Sequence, residues 1–114
     1  MRLGHIELFC RDQAATQAFY VDVLGFEETE IQGGNVTWLR LDDADILLRP
    51  GRKKATDASY TDSSQALVFY CDDLLDLMER LENSGTKLGE PDGAPDCLTF
   101  QDPDGRWIQA VEKF

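Results

Sequence analysis

Histidine is almost absent from this chain, since His5 is the only one among 114 residues. Histidine is the commonest metal ligand and the usual proton shuttle near neutral pH, so a site built from several histidines is excluded. The three cysteines, Cys10, Cys71 and Cys97, cannot all pair within one chain, and none lies in a CxxC motif. They predict reduced thiols in a cytoplasmic protein.

Long apolar runs are also missing. No stretch approaches the ~20 apolar residues that a membrane-spanning helix needs. The opening "MRLGHIELFC" lacks the apolar core and small-residue cleavage site of a signal peptide, so none is expected. These features predict a protein without a membrane partner.

Basic side chains are half as many as acidic ones, 11 against 22, which gives a formal net charge of −11. A surface of this sign repels nucleic acid and anionic membranes and attracts cationic ligands. The charge also has a plainer interpretation, because an acidic surface keeps a protein soluble without any cationic partner.

The chain has the length of one domain, and two of its stretches repeat a pattern. "HIELFCRDQAATQAFYVDVLGF" begins at His5, and "ALVFYCDDLLDLMERLENSGTKL" begins at Ala66, a shift of 61 positions. The same shift places "LDDADILL" on "DPDGRWIQ". We therefore predict a first module over residues 1–50, a polar linker over 51–64 and a second module over 65–114.

Each module begins with an alternating apolar strand followed by a helix. Asp12 in the first module and Asp72 or Asp73 in the second are expected to cap the helices, and Gly25 and Gly85 to end them. Three short strands should follow in each module, with "DPDG" as a tight turn before the last. The predicted fold is α+β, with tandem βαβββ modules.

The "HIxL" opening, "FYxxxLGF" at the end of the first helix and "DPDG" before the last strand resemble the vicinal oxygen chelate superfamily. That group includes glyoxalases, bleomycin resistance proteins and extradiol dioxygenases. The resemblance covers nearly the whole chain. It implies a curled mixed sheet around a cleft, and a homodimer.

The resemblance also implies positions for one divalent metal, on the first and last strands of each module. They correspond here to His5, Leu48, Ala66 and Gln109. Leucine and alanine have no donor atom, and an amide oxygen is a weak ligand, whereas a catalytic metal usually needs about three protein ligands. A set made from His5, Glu7 and Gln109 would converge poorly on one ion. We therefore expect no cofactor, with a divalent metal as the alternative.

Strand alternation predicts the side chains of the cleft face. They combine aromatic rings with a few polar groups, which is typical of a small-molecule site. Packing or a dimer interface would account for the aromatic residues equally well. The predicted ligand-binding residues are His5, Glu7, Phe9, Trp38, Arg40, Leu48, Tyr70, Thr99, Gln101, Trp107 and Gln109, with Ile46, Val68 and Cys97 on the same face.

Three functions remain open at this point. The first is a metal-free protein that sequesters an aromatic or cationic compound, similar to bleomycin resistance proteins. The second is a metal-dependent lyase, isomerase or dioxygenase with an atypical ligand set. The third is a non-catalytic dimeric interaction module. Arg40 and Glu7 are expected to form a salt bridge with each other, the alternative being that they orient a ligand. "RPGRKK" over 49–54 is a basic loop or a lid over an anionic ligand.

Overall fold

The structure is a computed structural model that describes residues 1–90 and 96–113. It divides into two compact units, Met1–Lys54 (unit 1) and Ala55–Phe114 (unit 2). No helix within the described residues is long and apolar enough to cross a membrane.

Unit 1 contains a four-stranded mixed sheet with the strand order β1-β4-β3-β2. β1 and β4 run parallel, while β3 is antiparallel to both β4 and β2. The elements are β1 (Ile6–Cys10), α1 (Gln13–Ala18) continuing as a π-helical turn (Phe19–Val23), β2 (Glu27–Gln32), β3 (Val36–Leu41) and β4 (Ala44–Pro50).

The helix of unit 1 begins and ends where the sequence predicts. The Asp12 carboxylate accepts a hydrogen bond from the Ala15 N–H (3.1 Å), which satisfies a donor of the first turn. Gly25 has a φ of +86°, a conformation that costs glycine little, and the chain leaves the helix there. Both predicted helix boundaries are confirmed.

Unit 2 contains a three-stranded sheet with the strand order β5-β7-β6. Asp73 caps its helix by accepting a hydrogen bond from the Asp76 N–H (3.0 Å), as predicted, and Gly85 follows the helix with a φ of +73°. The elements are β5 (Leu67–Cys71), α2 (Leu74–Asn83), β6 (Cys97–Gln101) and β7 (Trp107–Glu112).

The first of the three strands predicted after α2 lies partly outside the described residues, because residues 91–95 are not described. The other two are β6 and β7. Leu88 forms only an isolated bridge with Phe100, supported by a hydrogen bond from the Gly89 N–H to the Thr99 carbonyl (2.8 Å). By the repeat shift, the counterpart of β2 falls on residues 88–93, of which 91–93 lie outside the described residues.

The predicted linker is divided between the units. Residues up to Lys54 belong to unit 1, whereas the segment from Ala55 belongs to unit 2. There the Ala55 N–H donates to the Asp104 carbonyl (2.8 Å), and a short 3₁₀ turn occupies Tyr60–Asp62. This second part of the segment is therefore built into unit 2.

The turns before the last strands of the two units differ in length by one residue. In unit 1, Leu41 pairs with Ala44 across a two-residue turn. In unit 2, the Asp102 N–H donates to the Arg106 carbonyl (2.9 Å) across three residues, the last of them Gly105 with a φ of +85°. The extra residue shifts the correspondence of the last strands from 61 to 62 positions.

This shift overturns the predicted orientation of β4. Leu48 lies opposite Leu8 and Thr37, both buried, and Ile46 lies opposite the fully buried Leu39. Because directly opposite residues share a sheet face, Ile46 and Leu48 point into the core rather than toward the predicted cleft face.

Leu47 takes the place that the prediction gave to Leu48. It pairs with Glu7 in β1 and with Trp38 in β3. The pairing that corresponds in unit 2 joins Gln109 to Val68 and Thr99. Leu47 is therefore the structural counterpart of Gln109.

The core of each unit lies between its helix and its sheet, while Leu47 in unit 1 and Trp107 in unit 2 are buried on the opposite face of the sheet. The buried apolar residues of unit 1 are Leu8, Cys10, Phe19, Tyr20, Val23, Phe26, Leu39, Ile46, Leu47 and Leu48. Those of unit 2 are Leu77, Leu81, Leu98, Phe100, Trp107, Ile108 and Ala110.

Candidate functional site

A charged cluster occupies the face of unit 1 that the sequence predicts as a cleft wall. His5 Nε2 and Glu7 Oε2 form a hydrogen bond of 2.9 Å, and Arg49 Nη1 donates to Glu7 Oε1 (3.2 Å). The hydrogen bond with His5, followed by the bond and charge of Arg49, holds the pKa of Glu7 below its ordinary value. Glu7 is therefore a carboxylate engaged on both oxygens.

The ring of His5 also contacts Trp38. Their centroids are 4.7 Å apart, and the ring planes meet at 67° in an edge-to-face arrangement. Phe9 continues the same face of β1 and is 54% exposed. The structure thus brings together four of the predicted site residues of unit 1: His5, Glu7, Phe9 and Trp38.

Arg40 does not pair with Glu7, so that prediction is wrong. Its guanidinium forms two hydrogen bonds with the Asp45 carboxylate, of 2.8 and 3.0 Å. The Arg40 bonds lower the pKa of Asp45, and the same bonds raise the pKa of Arg40. Asp45 pairs with Arg40 because the two residues lie opposite each other in the β3–β4 ladder.

In unit 2, the predicted cleft residues do share one face of the sheet. Gln109 lies opposite Val68 and Thr99, and Trp107 lies opposite Gln101. Alternation along the strands adds Tyr70 and Cys97 to this face.

Tyr70 and Gln101 have local partners on this face. Tyr70 is 62% exposed, and Lys113 Nζ lies 5.1 Å from its ring centroid. Gln101 Nε2 donates to the Gly105 carbonyl (3.2 Å), so it supports the turn before β7.

A pocket of about 300 Å³ lies within unit 2. Two predicted site residues, Thr99 and Trp107, form part of its wall. The pocket is lined by Ala58, Ser59, Tyr60, Thr61, Lys87, Leu88, Gly89, Glu90, Thr99 and Trp107.

The indole of Trp107 is fixed in this wall. Its Nε1–H donates to the Asp57 carbonyl (2.9 Å), and the side chain is buried. Gly89 lies so close that a Cβ atom there would come within 2.7 Å of the indole and would also contact Thr99. The backbone at Gly89 therefore approaches the ring as only glycine permits.

Tyr60 connects the pocket to Gln109. The Tyr60 hydroxyl donates to Gln109 Oε1 over 3.4 Å, and both side chains are partly buried. Gln109 itself does not line the pocket, whereas Tyr60 does.

The pocket residues outside the strands are not among the predicted site residues. Ser59, Tyr60 and Thr61 lie in the segment predicted as a linker, and residues 87–90 belong to no predicted site. The one available signal was Tyr60, an aromatic residue within an otherwise polar segment.

The acidic charge is concentrated in the unit that contains the pocket. Unit 2 carries 13 of the 22 acidic and 4 of the 11 basic side chains, for a formal charge of −9. Unit 1 accounts for the remaining −2. Within the pocket wall itself, Lys87 and Glu90 provide one charge of each sign.

The residues at the implied metal positions do not match a metal ion. His5 offers one donor atom. The other three positions are occupied by Leu47, which the strand register selects in place of Leu48, and by Ala66 and Gln109. Two of these are hydrocarbon side chains. The described residues contain no group of three or more His, Cys, Asp and Glu side chains arranged to hold a metal.

None of the cysteines lies among the pocket residues. Cys10 is buried, while Cys71 and Cys97 are half-buried, and none of the three forms a disulfide within the described part of the chain. Burial raises the pKa of Cys71, so its thiol is less readily ionised than an exposed one.

Comparison with known proteins places this fold in a family. The family model of the glyoxalase/bleomycin resistance protein/dioxygenase superfamily matches residues 2–110. The chain belongs to this superfamily. No curated protein sequence matches it.

Solved structures show the same fold in other members. Lactoylglutathione lyase from Agrobacterium tumefaciens is 21% identical, with a TM-score of 0.72 over 97% of this chain and 92% of that one. The fosfomycin resistance protein FosX from Mesorhizobium loti is 18% identical, with a TM-score of 0.80 over 99% and 92%. A protein from the mobile metagenome of V. Pseudocholerae is 28% identical, with a TM-score of 0.73 over 100% and 95%.

Proposed function

We propose that this superfamily member is a metal-free binding protein that sequesters an aromatic, cationic compound in the pocket of unit 2. The observation that carries the proposal is the pocket of about 300 Å³ lined by Tyr60, Thr99 and Trp107. Its size falls within the range of small-molecule sites.

Charge supports a cationic ligand. The formal charge of −9 on unit 2 raises the local concentration of cations, and an indole attracts a cation through its quadrupole. Within the wall, Lys87 and Glu90 offset each other, so the preference for a cation rests on the net charge of unit 2 and on the indole. The hydroxyls of Ser59 and Thr99 donate to Asp62 and to the Glu90 carbonyl, and their lone pairs can still accept a hydrogen bond from a ligand.

The donor set supports binding without a metal. Leu47 and Ala66 offer no lone pair at two of the four family positions. The test is elemental analysis of the purified protein, combined with thermal shift in Mn²⁺, Ni²⁺, Zn²⁺ and Fe²⁺. We expect substoichiometric metal and no stabilisation. Stoichiometric metal would overturn the metal-free proposal and favour a metal-dependent lyase, isomerase or dioxygenase.

Ligand binding is tested with a panel of planar aromatic cations, each paired with a neutral compound of the same shape. The Trp38→Phe variant leaves Trp107 as the single tryptophan, so its fluorescence reports the pocket. We expect quenching and a thermal shift with cations, weakening as salt is added. No response across the whole panel would overturn the proposal.

Two further variants locate the site. Trp107→Phe should weaken binding of a responding cation about tenfold, because a smaller ring of weaker quadrupole replaces the indole. Trp38→Phe should leave the affinity unchanged, since Trp38 belongs to the face of unit 1. If Trp38→Phe weakened binding more than Trp107→Phe, the ligand would bind outside the pocket.

We also propose that the protein is a homodimer. β1 and β5 are edge strands of their sheets and carry exposed apolar side chains, among them Phe9 and Tyr70. Exposed edge strands of this kind invite pairing with another chain. Light scattering coupled to size exclusion should give twice the chain mass of 12.8 kDa, and the monomer mass would contradict this part.

A further inference from the structure

One wall of the pocket is a self-contained turn. Residues 59–63, here named the gate turn, are held by hydrogen bonds from the Asp62 N–H to the Ser59 carbonyl (3.2 Å) and from the Ser63 N–H to the Tyr60 carbonyl (3.1 Å). Ser59 Oγ also donates to Asp62 Oδ2 (2.9 Å). Because these bonds lie within the turn, it keeps its shape when it moves as a whole.

The chain before the gate turn is anchored firmly. The Ala55 N–H donates to the Asp104 carbonyl (2.8 Å), and the Trp107 Nε1–H donates to the Asp57 carbonyl (2.9 Å). Asp104 and Trp107 are both buried. Motion of the gate turn is therefore expected to pivot after Asp57.

Within the described residues, the gate turn packs against β7 and is joined to it by one hydrogen bond. It is the bond from the Tyr60 hydroxyl to Gln109 Oε1, whose 3.4 Å lies beyond the usual range for two oxygens. A long bond between neutral, partly buried groups is the easiest of the three attachments to break.

We propose that the gate turn opens and closes the pocket, with the Tyr60–Gln109 hydrogen bond as its latch. This proposal rests on the proposed function, because it concerns access to the same pocket. Ser59, Tyr60 and Thr61 all line the pocket, so a rotation of the turn about Asp57 removes one side of the wall. The opposite side, formed by Thr99 and Trp107, stays in place.

The latch has a kinetic consequence. A ligand that enters only through the open state binds at a rate proportional to the open fraction. Tyr60→Phe keeps the ring and removes the hydroxyl, so the open fraction should rise about 2-fold, the lower end of the range for one neutral hydrogen bond. Association and dissociation should accelerate together, with a smaller change in affinity.

Two measurements test the gate. The first is stopped-flow fluorescence of Trp107 in the Trp38→Phe background, using an aromatic cation that responds in the binding panel. The second needs no ligand: it is acrylamide quenching of Trp107 in the same background. Tyr60→Phe should raise both the association rate and the quenching constant about 2-fold.

Thr29→Val is the matched control, because Thr29 Oγ1 makes a hydrogen bond of the same 3.4 Å length to the Trp38 carbonyl in unit 1. It should change neither quantity. Unchanged quenching in Tyr60→Phe would overturn the gate even if ligands bind. Raised quenching with no ligand response would support the gate and overturn the binding function, so the two failures are distinguishable.

Discussion

The imidazole of His5 stands edge-on to the indole of Trp38, with 4.7 Å between the ring centroids. Its Nε2 is bonded to the Glu7 carboxylate at the same time. The single histidine of the chain is thus held between an aromatic ring and a negative charge, both supplied by unit 1.

The contact predicts that the emission of Trp38 depends on His5. Trp107→Phe isolates the fluorescence of Trp38. Adding His5→Gln should change the emission maximum of Trp38 at constant pH, because it removes the ring that packs edge-on against the indole. An unchanged spectrum would show that Trp38 does not sense His5.

Glu7 predicts a loss of stability in acid. Its pKa is lowered in the folded state from an ordinary value of 4.5, chiefly by the hydrogen bond with His5. The contribution of Glu7 to the free energy of unfolding is therefore fully present above pH 4.5. It is lost as the pH falls through the lowered pKa of Glu7 in the folded protein. Thermal unfolding between about pH 7 and 3 should show a smaller decrease in Tm for Glu7→Gln than for the wild type.

The control for Glu7 is Glu82→Gln. Glu82 is an exposed helix residue whose side chain makes no hydrogen bond or ion pair within the described part of the chain. Its variant should retain the wild-type decrease in acid. If Tm fell with pH by the same amount in Glu7→Gln and in the wild type, the role given to Glu7 would be contradicted.

Gly89→Ala should destabilise the protein and weaken ligand binding. The added Cβ would come within 2.7 Å of the Trp107 ring and against Thr99, both buried. Overpacking of this kind costs about 1–3 kcal/mol of unfolding free energy. Urea denaturation measures it, with Gly4→Ala as the control because nothing lies within 4 Å of a Cβ there. Equal stability of Gly89→Ala and Gly4→Ala would show that the pocket wall rearranges to accommodate the added Cβ atom.

Asp102→Ala should be strongly destabilising. Asp102 is 4% exposed, and its carboxylate accepts hydrogen bonds from the N–H groups of Asp104 and Arg106 and from the Arg106 guanidinium. Its removal leaves two N–H groups and the partly buried Arg106 guanidinium without their acceptor, which costs about 1–3 kcal/mol. The exposed pair in unit 1 provides the contrast, because Asp45→Ala should change the urea midpoint little.

The helices of both units could be predicted from sequence because their signals are local. Asp12 and Asp73 cap them, and Gly25 and Gly85 follow them with positive φ, as the sequence indicates. Each signal depends on residues within one turn of the boundary, so no tertiary information is needed.

The face of β4 could not be predicted in the same way. Its orientation depends on how many residues the preceding turn contains, and a difference of one reverses every side chain of the strand. The repeat shift of 61 is correct for the first strands, but Ile46 and Leu48 were wrongly assigned because the turn after Asp102 is one residue longer.

The pocket was predictable only where strands form it. Thr99 and Trp107 follow from alternation along β6 and β7. Tyr60 and Gly89 come from irregular segments, whose path is set by hydrogen bonds to distant residues such as Gln109 and Thr99. No periodic pattern encodes such contacts.

The one-residue difference between the two turns also changes how this scaffold would be re-engineered. A designer who counts along the repeat would introduce a new metal ligand at Leu48, which is fully buried against the core of unit 1. The ladder of hydrogen bonds instead selects Leu47, directly opposite Glu7 and on the side of the sheet where His5 meets Trp38. Leu47→His would therefore be the first step in building a metalloprotein from this chain.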